Sequence, residues 1–303
     1  MAYLMQIGFS NTARLYRRTF YFEYKGIRFK LIQNNSQKWC DALLTIIPDS
    51  FGPGQYSDED TNRVYDAASE FLSTLSWEND SLVRLEYSGG RGARKNYQLR
   101  NAKTVAYTFP MVPFRGYSIG SDISRIPNIK TSEQRDALVL FREASSTNNN
   151  YLALIFFWQI LEIGKNDAIG WLNKTYQNHL NKIRVLQSDL DQLPIKHKRI
   201  GNYFYDDCRN AIAHLFKRKT GSTKIKIDTL EDNLRIVISK RVIEEFARYF
   251  IKDRLQLNSH MYLVRKNGRG FPVYLPVEET AQVHCKLAYQ RPSSYKLTRK
   301  SWH

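Results

Sequence analysis

The chain has 303 residues, of which 42% are apolar and 13% aromatic, and this composition excludes an intrinsically disordered protein. Lysine and arginine number 46 against 29 aspartates and glutamates, and the resulting net charge of +17 favours a polyanionic partner. The longest apolar run, residues 151–158, is too short to cross a bilayer, and no signal peptide pattern opens the chain.

The first 127 residues predict a mixed α/β domain. Predicted strands span residues 14–24, 27–33, 42–48, 82–87 and 104–109. Lys25-Gly26 predicts a hairpin turn between the first two strands, and apolar spacing of three and four predicts a helix over residues 57–77. A stretch rich in proline and glycine then ends the pattern and sets the domain boundary at residue 127.

Residues 128–257 predict an all-helical bundle. The predicted helices span residues 131–144, 151–164, 171–189, 201–216 and 229–257. Thr131 and Gln134 predict a capping box for the first of them. The second helix is apolar on nearly every side, which is typical of the centre of a bundle. The last helix has an apolar side, predicted from Leu234, Val237, Ile238, Val242, Ile243, Phe246, Phe250 and Ile251.

The last region, residues 258–303, predicts a short basic extension. Residues 261–264 and 271–275 flank a Lys-Asn-Gly-Arg turn, which predicts a β-hairpin followed by a tail. The predicted fold class is therefore α+β, with a mixed N-terminal domain, a helical bundle and a C-terminal hairpin.

Cysteine usage bears on the compartment. Cys40, Cys208 and Cys285 lie far apart and form neither a disulfide framework nor a CxxC metal motif. This pattern favours a reducing compartment, and we expect a cytoplasmic protein. No helix combines a lysine-rich face with exposed tryptophan or leucine, so we expect no membrane partner. A nucleic acid is the favoured partner, and a basic surface that binds nothing remains the alternative.

The stretch YDDCRNAIAHLFKRK contains the strongest candidate for chemistry. On a regular α-helix, Asn210 and His214 are four residues apart and share one face, and the long Arg209 side chain curls towards it. This set suits cleavage of RNA, whose ribose 2′-OH is the nucleophile. His214 would transfer the proton, and Arg209 would stabilise the negative charge on the phosphorane oxygens. Asn210 would orient the imidazole or the phosphate. No cluster of carboxylates or histidines has metal spacing, so we expect no metal or other cofactor.

The same residues carry a family resemblance. Arg209-Asn210 and His214 match the R-N-x-x-x-H signature and resemble the HEPN superfamily of ribonucleases. A longer resemblance, over about residues 14–257, is to the methylamine-utilisation MauJ-like proteins with an Apea-like HEPN domain. It rests on the segments FLSTLSW, GGRG, YLALIFFWQILE, IGWLN, GNYFYDDCRNAIAH and DTLEDNLRI, in that order.

The resemblance implies a helical bundle that forms a homodimer, with one active site built from both copies of the motif. It implies a metal-independent endoribonuclease whose products carry a 2′,3′-cyclic phosphate or 3′-phosphate and a 5′-OH. It further implies a toxin or antiviral defence effector, controlled by a ligand, an infection or a neutralising protein. The N-terminal domain would then regulate the enzyme, recruit RNA or contact a partner.

Basic stretches around the motif are candidates for RNA binding. The candidate residues are Lys217, Arg218 and Lys219 after the motif, Arg91, Arg94 and Lys95 in a glycine-rich loop at residues 89–100, and Lys198 and Arg199 before the motif. Each stretch also fits an ordinary solvated surface. Cys208 is expected to be a small buried residue.

The sequence leaves three questions open: the role of Glu162, the role of the motif and the function of the protein. Glu162 is either exposed at the end of its helix or a supporting residue bonded to Arg209. The motif itself fits catalysis, RNA binding without cleavage, or a purely structural helix. A rival function is a non-catalytic nucleic-acid-binding or scaffold subunit of a larger complex, for which charge alone is sufficient.

Overall fold

The structure is a computed structural model that describes residues 2–15, 19–33, 41–48, 58–94, 98–103, 118–121, 123–195, 199–213, 229–265, 271–276 and 279. Mixed strands come first, helices follow from about residue 125, and strands return near the C-terminus. The predicted α+β class is therefore confirmed. The predicted strand at 104–109 lies outside the described residues.

An eight-stranded sheet contains strands from both ends of the chain. The strands are β1 (Ala2–Asn11), β3 (Thr19–Tyr24), β4 (Ile27–Ile32), β5 (Asp41–Pro48), β6 (Val83–Arg94), β8 (Arg125–Pro127), β9 (His260–Val264) and β10 (Val273–Pro276). Their order is β6-β1-β5-β4-β3-β10-β9-β8, and within this sheet, over the residues that the structure describes, only β3 and β10 pair in parallel. The two other strands, β2 (Ala13–Leu15) and β7 (Ser118–Ser121), pair with each other.

Strand β1 is not among the strands predicted from the sequence. It pairs along most of its length with β5 on one side and β6 on the other. Residues 4–12 are all buried, so the alternation of apolar and polar residues that marks a half-exposed strand is weak. The predicted strand at 14–24 is divided, because β2 ends at Leu15 and β3 begins at Thr19.

The first predicted hairpin is confirmed, and its turn has a simple cause. Lys25 and Gly26 have φ values of 50° and 73°, which fit the two-residue turn that suits the twist of paired strands. Side chains then alternate along β3, so that Phe20, Phe22 and Tyr24 are buried and the residues between them lie on the other face. The buried face packs against α1 (Asp58–Asn79), where Phe22 stacks on Phe71 at 4.5 Å between ring centroids.

The C-terminal hairpin is also confirmed, and it lies within the sheet. Strand β10 pairs with β9 and, through Val273 and Glu23, with β3. The backbone amide of Glu23 donates to the Pro272 carbonyl at 2.7 Å. Residues that are about 250 positions apart thus share one ladder, and the last described strands complete the N-terminal sheet.

The helical region is a bundle around a large aromatic core. Its helices are α2 (Ser132–Ser146), α3 (Asn150–Glu162), α4 (Ala168–His179), α5 (Gln187–Asp191), α6 (Ile200–Asn202), a π-helical segment (Tyr203–Asn210), α7 (Ala211–Ala213) and α8 (Leu230–Asp253). The capping box of Thr131 and Gln134 is confirmed. Trp158, Phe157, Phe204, Phe246 and Phe250 are almost completely buried. The predicted helix at 171–189 is confirmed over residues 171–179 and is wrong beyond them, because α4 ends at His179 and α5 starts at Gln187.

The apolar side of α8 follows the prediction only in part. Val242, Ile243 and Phe246 are buried, but Leu234 is 53% exposed. The buried stripe begins with Ile236 and Ser239 instead. At about 100° per residue, Leu234 lies on the side of the helix opposite this stripe.

Helix α1 lies between the sheet and the bundle. Trp77 meets Phe141 of α2 edge-on at 5.0 Å between centroids, and the Arg248 guanidinium lies 4.5 Å from the Phe141 ring. Buried Arg142 donates through Nη1 to the Ser69 carbonyl at 2.9 Å. These contacts attach the bundle to the sheet side of the molecule through α1.

Candidate functional site

The motif lies on a helix that is not regular. We call residues 200–213 the motif helix; it comprises α6, the π-helical segment Tyr203–Asn210 and α7. The expectation of regular α-helical spacing over this stretch is wrong, because a π-helix bonds each residue to the one five positions away. Such segments occur often at functional sites. His214 lies outside the described residues, so its position relative to Asn210 stays a prediction.

A close approach to α4 fixes where the motif helix begins. The Gly201 amide donates to Asn173 Oδ1 at 2.9 Å. A Cβ atom on Gly201 would overlap the carbonyl oxygen of Ile169 and approach its Cα to 3.0 Å. Only glycine therefore allows the two backbones to pack at this distance.

The inner side of the motif helix is anchored to α8. Tyr203, Phe204 and Cys208 are buried, and the Tyr203 hydroxyl lies 2.9 Å from Ser239 Oγ. The Cys208 thiol donates a hydrogen bond to Ser239 Oγ at 3.8 Å. Burial raises the pKa of the Cys208 thiol to about 11, so the thiol stays neutral and unreactive. Cys208 is a buried structural residue, as expected.

The outer side presents Arg209 and Asn210 together. Arg209 Nη1 donates to Asn210 Oδ1 at 2.9 Å, and both side chains are half-buried. The guanidinium carbon also lies 5.7 Å from the centre of the Tyr205 ring. Asn210 accepts this bond through its carbonyl oxygen, so its own amide N–H groups and the remaining guanidinium N–H groups are the donors that the pair can offer a ligand.

A chain of contacts connects this pair to α3. The Tyr205 ring packs on Trp158 at 5.8 Å between centroids. Trp158 is 1% exposed, and its indole Nε1 donates to Glu162 Oε1 at 2.6 Å. Glu162 thus bonds Trp158, and within the described residues neither a hydrogen bond nor an ion pair joins Glu162 to Arg209, so the alternative in which the two bond directly is not observed.

Sequence reasoning missed Trp158 and Tyr205 as parts of this site. The available signal was spacing, because Trp158 and Glu162 are four residues apart and share a face of α3. Because α3 is apolar on nearly every side, its residues are predicted to pack in the core of the bundle.

The structure describes only some of the predicted RNA-binding residues. Arg199 is exposed at the start of the motif helix. Lys95, Lys198, Lys217, Arg218 and Lys219 lie outside the described residues. Arg91 and Arg94, for which the backbone alone is described, lie on strand β6. The expectation of a loop from Gly89 is therefore wrong up to Arg94, because these glycines form an edge strand with a register shift against β1.

An open cleft of about 640 Å³ lies beside the motif helix. It is lined by Gln192, Pro194, Tyr203, Asp207, Glu231, Asp232, Leu234, Arg235 and Ile238. Arg235 pairs with Asp232 at 3.0 Å, so the charges there are already partly matched. Arg209 and Asn210 are not among the described residues that line this cleft.

Within the described ranges, no three His, Cys, Asp or Glu side chains come close enough together to hold a metal ion. No helix in the same ranges has the length and apolar character needed to span a bilayer.

Comparison with known proteins finds a family match for the helical region. Residues 137–252 match the family model described as methylamine utilization protein MauJ. This part runs from within α2 to the end of α8 and includes the motif helix, whereas the sheet lies outside it. No curated protein and no solved structure matches the chain. The helical region is thus similar to the MauJ family.

Proposed function

We propose that the chain is a metal-independent endoribonuclease of the HEPN type. The observation that carries this proposal is the Arg209–Asn210 pair on the outer side of a π-helical segment. A half-buried guanidinium that is already oriented by an amide and a ring can bind an anionic phosphate at a small cost in ordering.

The reaction follows from the substrate and these residues. The 2′-oxygen of the ribose attacks the adjacent phosphorus, and the P–O5′ bond breaks. His214 would accept the 2′-OH proton and return it to O5′ as that oxygen leaves. Arg209 would bond the phosphorane oxygens, where negative charge grows in the transition state. The products are a 2′,3′-cyclic phosphate and a 5′-OH end.

The proposal includes a homodimer in which both copies of the motif line one cleft. It also includes a role as a toxin or antiviral effector that a regulatory or neutralising protein holds in check. Both parts rest on the resemblance to HEPN ribonucleases. The similarity of residues 137–252 to MauJ supports the placement of the motif helix in such a bundle.

The test is cleavage of mixed RNA in the presence of EDTA. We expect wild-type protein to produce 2′,3′-cyclic phosphate ends, and Arg209→Ala and His214→Ala to lose at least 100-fold in rate, about the contribution of a positioned proton donor or charge clamp. Lys174→Ala, an exposed cation on α4, is the matched control and should keep full activity. Equal cleavage by all variants, or loss of activity on chelation, would reject the proposal.

The second candidate is a non-catalytic nucleic-acid-binding subunit, and the net charge of +17 favours it, since charge alone can hold RNA. It requires binding that weakens steeply with salt and no cleavage by any variant. Detection of products with cyclic phosphate ends, lost in Arg209→Ala, would exclude it.

A further inference from the structure

The face of the sheet that is turned away from α1, here called the outer face, carries aromatic and basic side chains at one end. Alternation along β3 places Tyr21 on this face, since Phe20 and Phe22 face α1. Along β4 the same rule places Arg28 and Lys30 there, between residues of the α1-side core. Phe271, just before β10, packs with the small core of the outer face.

These side chains form one cluster. The Tyr21 and Phe271 rings meet edge-on at 5.9 Å between centroids. The Arg28 guanidinium lies 5.3 Å from the centre of Phe271, and Lys30 Nζ lies 5.5 Å from the centre of Tyr21. Both rings are only partly buried, although they are large and sit on a sheet surface.

A strap of chain, residues 98–103, adds further positive charge. Buried Lys30 donates through Nζ to the carbonyls of Arg100 and Ala102 at 2.9 and 2.7 Å, which holds the strap on the outer face. The side chains of Arg100 and Lys103 are exposed. Glu23 lies on the same face and pairs with Arg28 at 3.2 Å, and the exposed Arg100 and Lys103 leave the described part of the cluster with a positive net charge.

We infer that Tyr21, Arg28, Arg100, Lys103 and Phe271, arranged over the buried Lys30, form a capture surface for single-stranded RNA. Cations alone would attract any polyanion, but accessible rings stack with unpaired bases and therefore select single strands. Arg28 lies over Phe271 and can move to a phosphate when a base takes its place on the ring, because it is 65% exposed. The inference rests on the proposed function only in naming RNA as the polymer.

The capture surface is separate from the motif helix. Sheet and helix α1 lie between the outer face and the bundle, and the motif helix belongs to the bundle. An RNA strand must therefore pass around the edge of the molecule to occupy both places. The outer face would hold the substrate, and the motif would act on a distant part of the same strand.

The test measures binding of a fluorescein-labelled oligouridine of about 20 nucleotides, long enough to cover such a site. All measurements use full-length protein carrying Arg209→Ala, so that cleavage does not disturb the anisotropy signal. Tyr21→Leu with Phe271→Leu should weaken binding about tenfold or more, since each lost stacking contact costs about that factor. The same variant should bind heparin, a polyanion without bases, as tightly as its parent.

A second set of variants removes positive charge at exposed residues, where substitution should not destabilise the fold. Arg28→Gln with Arg100→Gln and Lys103→Gln should reduce the slope of log Kd against log salt by about 2 for a single strand. Tyr65→Leu on α1, and Lys130→Gln with Lys174→Gln and Lys182→Gln, are the matched controls and should change neither value. Circular dichroism confirms that each variant is folded.

Two outcomes would overturn the inference. One is folded ring variants that bind oligouridine with unchanged Kd; the other is wild-type binding that is equal for duplex and single-stranded RNA. Cleavage by the protein without Arg209→Ala is measured separately. Binding through the outer face without any cleavage would refute the proposed ribonuclease and leave the capture surface standing. Cleavage with unchanged KM in the ring variants would refute the capture surface and leave the ribonuclease standing.

Discussion

Arg209 donates a hydrogen bond from Nη1 to Oδ1 of Asn210, its neighbour in the chain, at 2.9 Å. Side chains of consecutive residues diverge by about 100° on an α-helix, so such pairs do not normally meet. Here the long arginine side chain folds back across the π-helical segment while also lying over Tyr205. This hydrogen bond holds the Arg209 guanidinium and the Asn210 amide side by side, so that both can donate to one ligand.

This pairing predicts different effects for two substitutions of Asn210. Asn210→Ala removes the acceptor that orients Arg209, and we expect kcat/KM for RNA to fall about 10- to 100-fold, as for a misplaced transition-state donor. Asn210→Asp keeps the acceptor but replaces the amide donors with a negative charge, so it should also weaken RNA binding. Steady-state cleavage and anisotropy measure the two effects. Wild-type values for both variants would show that the pair has no role.

The bond from Trp158 to Glu162 predicts a stability effect on α3. Glu162→Ala leaves the buried indole N–H without its acceptor, which should lower the free energy of unfolding by about 1–3 kcal/mol. Glu162→Gln keeps an acceptor oxygen and should recover most of this loss. Urea titration followed by tryptophan fluorescence gives the values, with exposed Gln159→Ala as the control. Equal stability of the alanine and glutamine variants would contradict the role of this bond.

The close approach at Gly201 predicts a steric penalty. Gly201→Ala would force its Cβ against the Ile169 backbone, which cannot yield like a side chain, and we expect a loss of about 1–3 kcal/mol. Gln177→Ala, at an exposed position on α4, is the control and should leave stability within about 0.5 kcal/mol of wild type. Thermal unfolding measures both. A Gly201→Ala protein as stable as wild type would mean that the motif helix and α4 are not this close.

Burial of Cys208 predicts how stability depends on pH. Its pKa is raised to about 11, so the folded protein retains a proton that the unfolded chain loses near pH 8.5. The contribution is complete below that pH and is lost as pH rises towards 11. Cys208→Ala should therefore lose less stability than wild type between these limits. Tyr203, whose pKa burial also raises, remains in both proteins.

The measurement is chemical denaturation at a series of pH values, on a background of Cys40→Ser with Cys285→Ser. On this background the thiol of Cys208 should also fail to react with a thiol reagent at pH 8 until denaturant is added. Rapid reaction of the folded protein, or parallel pH profiles for the two proteins, would show that Cys208 is not sealed in the core.

Local patterns in the sequence were sufficient for several elements. The capping box at Thr131, the turn at Lys25-Gly26 and the apolar face of α8 from Val242 onward involve residues within a few positions of each other. Their interactions are short-range, so spacing and side-chain type determine them. The motif residues could likewise be picked out by type and spacing, together with the expectation that Cys208 is buried.

Only the tertiary structure decided how these pieces combine. Strand β1 is buried on both faces, and β10 pairs with β3 from the far end of the chain, so neither relation leaves a local signal. The contacts from Glu162 through Trp158 and Tyr205 to Arg209 join α3 to the motif helix across the bundle core. Long-range pairing and packing bring such residues together, because the free energy of burying them depends on partners that are distant in sequence.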